Sequence, residues 1–260
     1  MSEIRLVSLF SGSSGNCTAV NFGSDTLLFD AGRSARAIER GLCDAGIDPA
    51  SVRAIFVTHE HTDHISALRV FTGKHPVPVY AALGTADAIT CGHSGSVCRC
   101  RPLDEIRIGA AMVRSFHTSH DAECPVCYRV DIENDGATVS LGIVTDTGVI
   151  SDGIKEGISG CRAVLLESNH DPDMLRTGPY PAPLKQRIAS ARGHLSNSDS
   201  ADFAAFLVAH GARKIILAHI SKENNLPALA LDVCRTRLSD AGLDAEVIAA
   251  DPIMCVGISV

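Results

Sequence analysis

The string His-Glu-His-Thr-Asp-His at residues 59–64 places three imidazoles and two carboxylates directly after a short apolar run. Imidazole nitrogens and carboxylate oxygens are the ligands that zinc or manganese prefers in proteins. In an extended stretch His59 and His61 project from one side, whereas Asp63 and His64 lie past the bend and can serve a second ion. The string therefore predicts a hydrolytic centre with a pair of metal ions rather than an ordinary solvated loop.

Further metal ligands are available at three later places, each of which follows an apolar, strand-like stretch. They are the loop that contains His117 and His120, Asp146 after a later apolar run, and His219. A lone His or Asp at a strand end is usually a hydrogen-bonded structural residue. Because all three places occur together with the string at residues 59–64, we prefer the metal-binding interpretation for them.

The elements that must position these side chains alternate between strand-like and helix-like patterns along nearly the whole chain. The predicted strands are Arg5–Phe10, Thr26–Phe29, Ala54–Val57, Val77–Tyr80, Ala111–Phe116, Val126–Ile132, Thr138–Val144, Ala163–Leu166, Ile215–Ala218 and Ala245–Ala249. The predicted helices are Ser34–Ala45, one directly after His64, Asp199–His210 and one near Ala228–Leu238. Sheets with this pattern need helices on their outer faces, which predicts a layered α/β architecture. We expect a single domain over residues 1–260, because no repeat or linker interrupts the pattern.

The bulk composition fits a globular enzyme and argues against a membrane protein. Apolar residues make up 45% and charged residues 20% of the 260 positions, a mixture that one large domain can accommodate. No run approaches the ~20 apolar residues of a membrane span, and the first residues do not resemble an export signal. Because the ten cysteines form no regular framework, we expect reduced thiols and a cytoplasmic location.

The net charge of −7 argues against a generally basic surface that would coat nucleic acid. It does not exclude a nuclease, because divalent ions would supply positive charge where the scissile phosphate sits. The segment Pro172–Gly193 is also locally basic, and its charged residues are Arg176, Lys185, Arg187, Arg192 and Asp173. Its prolines predict an irregular excursion that either grips substrate phosphates or is an ordinary solvated segment.

Taken in order, Asp30, the string at residues 59–64, His120, Asp146 and His219 resemble the metallo-β-lactamase superfamily over essentially the whole chain. Further strings resemble the branch called YycJ or WalJ, single-domain proteins linked to DNA processing. They are Ser-Gly-Ser-Ser-Gly-Asn at 11–16, Thr-Ser-His-Asp at 118–121, Glu-Ser-Asn-His-Asp at 167–171, Gly-His-Leu-Ser-Asn at 193–197 and Ala-His-Ile-Ser at 218–221. The resemblance implies a four-layer αβ/βα sandwich, in which two helix-covered sheets pack face to face and metal ions lie along one edge.

The resemblance also implies two divalent metal ions, zinc or manganese, and assigns their ligands residue by residue. The first ion would be held by His59, His61 and His120, the second by Asp63, His64 and His219, with Asp146 bridging both. We choose His120 over His117 because Ser-His-Asp is the string that resembles the family. A water or hydroxide between the ions would be the nucleophile, with Asp63 orienting it.

Two further roles follow from the resemblance. Asp30, at the end of a predicted strand, corresponds to an early Asp of the superfamily that is usually structural and not a ligand. His194 is our candidate for the general acid, because it precedes the last ligand by a distance similar to that in ribonuclease Z-like members. A histidine near its ordinary pKa can protonate a departing oxygen at neutral pH. Glu167 is a candidate partner that would orient His194, and His170 is the rival for the acid role.

Two short polar segments are candidates for binding the phosphates of a substrate. Ser196 and Asn197 precede the predicted helix Asp199–His210, whose free backbone N–H groups would attract anions. Ser13 and Asn16 lie in a glycine-rich loop that could present small side chains and amides to a phosphate. The alternative for that loop is a tight turn that passes close under the metal ions.

A group of cysteines has spacings that would suit a separate structural zinc site. The side chains concerned are Cys91, His93, Cys98, Cys100, Cys124 and Cys127. The family pattern does not include them, and strand residues flank the last two, where thiols pack as small apolar groups. We therefore expect packed thiols and keep the structural zinc as the alternative.

The leading hypothesis is a metal-dependent hydrolase of phosphodiester bonds in nucleic acid, in particular a DNA exonuclease. The alternative is a small-molecule hydrolase on the same scaffold, such as a phosphodiesterase, lactonase or thioesterase, because the fold alone does not separate these activities. His194 favours phosphodiesters, since lactams and thioesters make less demand on a dedicated acid. A metal-binding regulatory protein without turnover is disfavoured, because a suitable residue stands at every expected ligand position.

Overall fold

Residues 3–89 and 97–260, which the computed structural model describes, form two sheets of seven strands each. In chain order the strands are β1 (Ile4–Phe10), β2 (Cys17–Phe22), β3 (Asp25–Phe29), β4 (Val52–Val57), β5 (Val79–Ala82), β6 (Val97–Cys100), β7 (Ile106–Ile108), β8 (Ala111–His117), β9 (Val126–Asn134), β10 (Ala137–Val144), β11 (Ala163–Glu167), β12 (Lys214–Ala218), β13 (Glu246–Ala249) and β14 (Val256–Ser259). The first sheet has the order β14-β1-β2-β3-β4-β5-β6, and the second has the order β13-β12-β11-β10-β9-β8-β7. In each sheet the strands from the middle to one edge are parallel, namely β3 to β6 and β10 to β13.

Helices cover the outer face of each sheet. In chain order they are α1 (Ala35–Asp44), α2 (Thr62–Ile65), α3 (Leu68–Lys74), α4 (Leu83–Ala88), α5 (Asp152–Ile158), α6 (Pro172–Thr177), α7 (Ala182–Ile188), α8 (Asn197–Ala209) and α9 (Pro227–Asp240). Residues of α1 and α3 pack against the first sheet, whereas residues of α5, α8 and α9 pack against the second. The layers therefore follow the order helix, sheet, sheet and helix, which confirms the predicted four-layer αβ/βα sandwich.

The hydrophobic core has three layers, because the strands of both sheets bury side chains on both faces. Between the sheets, Leu6, Phe29, Phe56 and Tyr128 belong to one buried cluster, and the rings of Phe29 and Phe56 stack with their centroids 5.4 Å apart. The adjacent Leu28 belongs instead to the cluster beneath α1 and α3. Strands that are buried on both faces form continuous apolar runs in a sequence, and for this reason most of them were predictable.

Each predicted strand and helix corresponds to an observed element, but several observed elements were not predicted. One of these is β2, which forms a hairpin with β3 around only Gly23 and Ser24. The single helix predicted after His64 is instead two short helices, α2 and α3. The predicted irregular excursion at Pro172–Gly193 is wrong, because α6 and α7 occupy most of it. Each of these helices has a proline in its first turn, where the missing N–H has no intrahelical partner to lose.

None of the helices in the described part of the chain combines the length and the apolar character that crossing a membrane requires.

The parallel strands bring polar residues to the same edge of the sandwich. The carboxyl ends of β3 and β4 in one sheet, and of β10, β11 and β12 in the other, each lead directly into polar residues. In open α/β sheets ligands bind beyond the carboxyl ends of the strands, and the candidate metal ligands are found there.

Gly32 allows the loop after β3 to pack closely against the string that carries Asp63 and His64. A Cβ atom at Gly32 would lie 1.6 Å from the carbonyl oxygen of Asp63. Backbone hydrogen bonds hold the same contact, since Asn16 N–H donates to the Asp63 carbonyl at 2.8 Å and Ala31 N–H donates to the His64 carbonyl at 2.7 Å. The placement of both metal-ligand candidates therefore depends on the absence of a side chain at Gly32.

We predict that Gly32→Ala lowers the free energy of unfolding by about 1–3 kcal/mol, the usual cost of overpacking, and reduces the metal bound per chain. Urea unfolding and elemental analysis of the purified protein measure these effects. Gly153→Ala is the matched control, because its Cβ would meet only the Ser151 hydroxyl at 3.8 Å, and it should lower neither quantity. Wild-type stability and metal content in Gly32→Ala would contradict the steric argument.

Candidate metal centre

The structure brings all seven predicted metal ligands together at one edge of the sandwich. Among the described residues, candidate ligand atoms lie within 4.8 Å of one another in overlapping groups. The groups are His59, His61 and His120; His59, His64 and Asp146; Asp63, His64 and His219; and Asp146, Glu167, His194 and His219. Because neighbouring groups share members, the side chains form one continuous cluster rather than separate sites.

The chain reaches this edge through strained backbone at three strand ends. Asp30, Asp146 and His219 have φ angles of 64°, 55° and 53°, in the left-handed region that non-glycine residues rarely adopt. Such residues cost on the order of 1–3 kcal/mol each and persist where the surrounding structure holds them. The His219 N–H, for example, donates to the Ser11 hydroxyl at 2.7 Å. The bends turn these side chains into the cluster.

The first group of imidazoles presents nitrogen atoms that lack a hydrogen-bond partner. His59 Nδ1 lies 3.0 Å from the Thr58 hydroxyl, and His120 Nδ1 lies 3.0 Å from the Gly193 carbonyl. The Nε2 atoms of both rings are buried and make no hydrogen bond. A buried, unpaired polar atom is costly, and a divalent cation would satisfy both atoms. These residues therefore fit a metal ion.

The protonation state of this group suits metal binding as well. Burial lowers the pKa of His59 well below its ordinary value, and the neighbouring imidazoles lower it further. Burial also lowers the pKa of His120, although the Asp146 carboxylate opposes the shift. Both rings are therefore neutral at neutral pH, which is the form that coordinates a cation.

The second group is organised by Asp30, a buried carboxylate beneath the cluster. Its Oδ2 lies 2.8 Å from His64 Nδ1, and its Oδ1 accepts a hydrogen bond from the Thr58 N–H at 2.8 Å. His64 Nε2 therefore faces the cluster, 3.3 Å from Asp146 Oδ2 and 3.5 Å from Asp63 Oδ2. This geometry agrees with the structural role that the resemblance implied for Asp30.

Glu167, the last residue of β11, holds two imidazoles at once. Its Oε1 lies 2.8 Å from His194 Nδ1 and 2.9 Å from His219 Nδ1. The carboxylate is fully buried, and its Oε2 accepts hydrogen bonds from the Thr147 and Leu195 N–H groups at 3.0 and 3.2 Å. The suggested pairing of Glu167 with His194 is therefore observed, but its contact with His219 was not predicted from the sequence.

Electrostatics keep this carboxylate ionised. Burial alone would raise the pKa of Glu167, but the His194 and His219 imidazoles outweigh burial and hold it well below its ordinary value. Burial would likewise lower the pKa of His219, whereas the Asp146 and Glu167 carboxylates raise it to about 9. A cation would take the place of the proton that these carboxylates now attract to His219.

The structure separates the histidines between which the sequence left a choice. His194 lines the cavity beside the cluster. The rival His170 is buried, its Nδ1 has no hydrogen-bond partner, and it is not part of the cavity wall. His120 is buried within the cluster, whereas His117 is exposed at the end of β8.

The cavity beside the cluster has a volume of about 240 Å³. Its wall includes His61, Asp63, His120, Asp121, Asp146, His194 and His219 from the cluster and its surroundings, together with Ser13, Tyr180, Leu184, Arg187 and Ile188. Asp121 was not identified from the sequence, although its place directly after His120 was the available signal. The helix α7 therefore forms one side of the cavity with both apolar and basic side chains.

Of the basic residues in the segment Pro172–Gly193, one reaches the cavity wall. Arg187 lines it and pairs with Asp121 at 2.5 Å. Arg192 instead donates to the His120 carbonyl at 3.3 Å. Arg176 pairs with Asp173 at 3.0 Å on α6, outside the cavity wall. The segment as a whole is therefore not a basic surface directed at the metal centre.

Three of the four residues predicted to bind substrate are buried away from the cavity. Asn197 exchanges hydrogen bonds with Asn225 at 2.8 and 2.9 Å, and the Ser196 hydroxyl caps α8 by accepting the Asp199 N–H at 3.1 Å. Asn16 Nδ2 lies 3.0 Å from His64 Nε2, so this amide supports the cluster from below. Among the four, only Ser13 lines the cavity, so the structure does not bring the other three to the cavity wall.

The cysteines do not form a second metal site within the described residues. Each described cysteine is a free thiol, and none belongs to a group of side chains that could hold an ion. Cys127 is buried in the core, and burial raises its pKa to about 12. Cys98 and Cys100 lie on the edge strand β6, while Cys91 and His93 lie outside the described residues. Within the described residues, the thiols are therefore not grouped as a structural zinc site would require.

Comparison with known proteins gives consistent results. The sequence pattern of the metallo-beta-lactamase superfamily matches residues 11–94. Exodeoxyribonuclease YycJ of Bacillus anthracis is 40% identical over 232 residues, covering 85% of this chain and 84% of the relative. Exodeoxyribonuclease WalJ of Streptococcus pneumoniae is 37% identical over 255 residues, covering 95% of this chain and 93% of the relative.

A solved structure supports the fold independently. The metallo-beta-lactamase fold protein YhfI from Bacillus subtilis superposes with a TM-score of 0.73 at 16% sequence identity. The match covers 98% of this chain and 100% of YhfI. Since the sequence identity is so low, the superposition speaks for the shared architecture alone.

We predict that Glu167→Gln weakens metal binding about 10- to 100-fold, as expected when the acceptor that orients a metal-binding imidazole is changed. The amide keeps the shape of the side chain but removes the charge that holds His219 and His194. Calorimetric titration of the stripped protein with zinc or manganese measures the change. Glu133→Gln, at an exposed carboxylate that pairs with Arg107 at 3.2 Å, is the control. Wild-type affinity in Glu167→Gln would show that this carboxylate does not position the ligands.

Proposed function

The chain belongs to the metallo-β-lactamase superfamily and, within it, to the family of the exodeoxyribonucleases YycJ and WalJ, and on that premise we propose that it is a metal-dependent DNA exonuclease. The coverage of both relatives supports residues 1–260 acting as a single domain. The observation that carries the proposal is the cluster of imidazoles with unpaired Nε2 atoms beside His194 at the cavity.

We assign two divalent ions, zinc or manganese, to this centre in the active enzyme. His59, His61 and His120 would hold the first ion, Asp63, His64 and His219 would hold the second, and Asp146 would serve both. The position of Asp146 supports this assignment, since its Oδ1 is 3.9 Å from His120 Nε2 and its Oδ2 is 3.3 Å from His64 Nε2. When bound, such ions supply a water of lowered pKa and polarise a phosphoryl oxygen.

Asp63 orients the attacking water. Its side chain lines the cavity, so it can contact the reacting atoms as well as an ion. Burial would raise the pKa of Asp63, but His64 and His219 hold it well below its ordinary value. The carboxylate is therefore ionised at neutral pH and accepts a hydrogen bond from the water.

His194 supplies the proton that the departing oxygen needs. Glu167 holds its Nδ1 at 2.8 Å, which leaves Nε2 as the nitrogen available to the substrate. The buried carboxylate of Glu167 thereby fixes the orientation of the ring that is to donate the proton. This paired acid favours phosphodiester hydrolysis, because an alkoxide leaving group requires protonation whereas a thiolate does not.

The size of the cavity supports attack at a strand end. Its volume of about 240 Å³ is below the ~300–1,000 Å³ of pockets that enclose drug-sized ligands. Tyr180, Leu184 and Ile188 form a wall on one side. A terminal nucleotide fits such a space more readily than an uninterrupted duplex. The same size also suits a small phosphodiester, which is the second candidate substrate.

The free thiols support a reducing environment, and we place the enzyme in the cytoplasm for that reason. Each cysteine in the described part of the chain is unpaired. Disulfides form and persist in oxidising compartments, where a chain this rich in cysteine would be expected to use them.

The function is tested by reloading the stripped protein with zinc or manganese and supplying end-labelled single- and double-stranded DNA and RNA. A small ester, bis(p-nitrophenyl) phosphate, is assayed in parallel. We expect stepwise shortening of DNA that a chelator abolishes. Cleavage of the small ester alone would instead establish the small-molecule alternative.

We predict that His194→Ala lowers kcat on DNA by about 10²–10⁴-fold, the usual contribution of a positioned acid, without loss of bound metal. His210→Ala is the matched control, because His210 is an exposed histidine outside the cavity wall, and it contacts Phe206 through a 2.7 Å hydrogen bond to the carbonyl and through ring stacking. Loss of metal from His194→Ala would assign this residue to coordination instead.

A leaving-group comparison separates acid catalysis from a purely structural role for His194. The p-nitrophenolate ion departs without protonation, whereas a nucleoside alkoxide does not. The defect of His194→Ala should therefore be much smaller on thymidine 5′-p-nitrophenyl phosphate than on DNA. An equal defect on both substrates would contradict the assignment of His194 as the acid.

A further inference from the structure

Asp121 brings an unpaired carboxylate oxygen to the first group of imidazoles. Its Oδ1 is buried and has no hydrogen-bond partner. This atom lies 3.3 Å from His120 Nε2 and 4.0 Å from His61 Nε2. Both nitrogens belong to residues assigned above to the first ion. A carboxylate oxygen that a hydrogen bond does not satisfy is a ready ligand for a divalent cation.

The other oxygen of the same carboxylate is engaged on the substrate side. Asp121 Oδ2 pairs with the Arg187 guanidinium at 2.5 Å. Arg187 lies on α7 and lines the cavity, and more than half of its side chain is exposed. The Asp121 carboxylate therefore faces the metal-ligand candidates with one oxygen and the exposed Arg187 guanidinium with the other.

We propose that Asp121 is an additional ligand of the first metal ion, and that Arg187 controls its availability by exchanging Asp121 for a phosphate group in the cavity. A guanidinium binds phosphate in the same forked geometry as a carboxylate, so the two anions compete for Arg187. While Arg187 is paired with Asp121, it draws negative charge away from the metal ligands. Once phosphate occupies Arg187, the full charge of Asp121 is available to the ion.

This exchange couples phosphate binding to metal binding. By thermodynamic linkage, a phosphate that releases Asp121 strengthens binding of the first ion, and the ion strengthens binding of phosphate to the same degree. The inference rests on the proposed function only for the identity of the phosphate, which is that of a DNA end. The exchange itself requires no hydrolysis.

The test is a cobalt(II) titration of the stripped full-length chain, followed by visible absorption, with and without inorganic phosphate. We expect phosphate to change the absorption of the first ion in the wild type and to raise cobalt affinity. Asp121→Asn should weaken the binding of that ion about 10-fold or more. In this variant phosphate should also have little effect on cobalt affinity and absorption. Arg187→Gln should reproduce the phosphate-bound absorption without phosphate, because Asp121 is then free.

The matched controls change Asp173 and Arg176, which form an ion pair on α6. Asp173→Asn and Arg176→Gln remove the partners of an exposed pair on α6, 3.0 Å apart and outside the cavity wall. Both should titrate as the wild type does. Thermal unfolding reports whether each variant is folded. If Asp121→Asn does not fold, the Arg187→Gln titration decides the question, together with Arg187→Lys, which keeps the charge but loses the fork.

Two results would overturn the proposal. One is wild-type cobalt affinity and absorption in folded Asp121→Asn, which would show that the carboxylate does not reach the ion. The other is weaker cobalt binding in Arg187→Gln, which would give the ion pair a merely structural role. Neither readout uses nuclease activity. A chain that cleaves only small esters would thus disprove the DNA substrate while leaving the cobalt result intact.

Discussion

Two buried carboxylates orient three imidazoles of the cluster. Asp30 engages His64 Nδ1 at 2.8 Å, and Glu167 engages the Nδ1 atoms of His194 and His219. With one ring nitrogen engaged, only the other is available to an ion or a substrate. A buried carboxylate is costly unless it is hydrogen-bonded, and hydrogen bonds engage both oxygens of each of these two. The shape of the cluster therefore depends on these contacts more than on the ligands alone.

The same contacts stabilise the strained ends of the strands. Glu167 also accepts the N–H of Thr147, the residue directly after Asp146, and Asp30 accepts the N–H of Thr58. Asp30 and Asp146 adopt left-handed backbone conformations that would be unfavourable in isolation. Each carboxylate thus orients an imidazole and also hydrogen-bonds to the backbone near a bend. Replacing either carboxylate would therefore disturb both the imidazole and the bend.

The segment with α6 and α7 gives the metal centre its substrate side. It contributes Tyr180, Leu184 and Arg187 to a cavity whose wall also includes the metal-ligand candidates. The Arg187–Asp121 pair links this segment to the metal-ligand candidates, because Asp121 lies beside His120 and also pairs with Arg187 at the cavity wall.

From the sequence, the alternating apolar runs predicted a layered α/β architecture, and the dense His/Asp string predicted a metal centre, because both patterns are local. The four-layer sandwich and the choice of His120, Asp146 and His219 as ligands came from the resemblance to the metallo-β-lactamase superfamily. The sequence did not determine which polar residues face the cavity. Ser196 and Asn197 have the composition of an anion-binding helix start, but the structure buries the side chains of both at the start of α8. Likewise, prolines near residue 180 end one helix or begin another, and only packing decides between these. Glu167 and Asp121 acquire their roles from partners 27 to 66 positions away, since folding alone brings such groups within hydrogen-bonding distance.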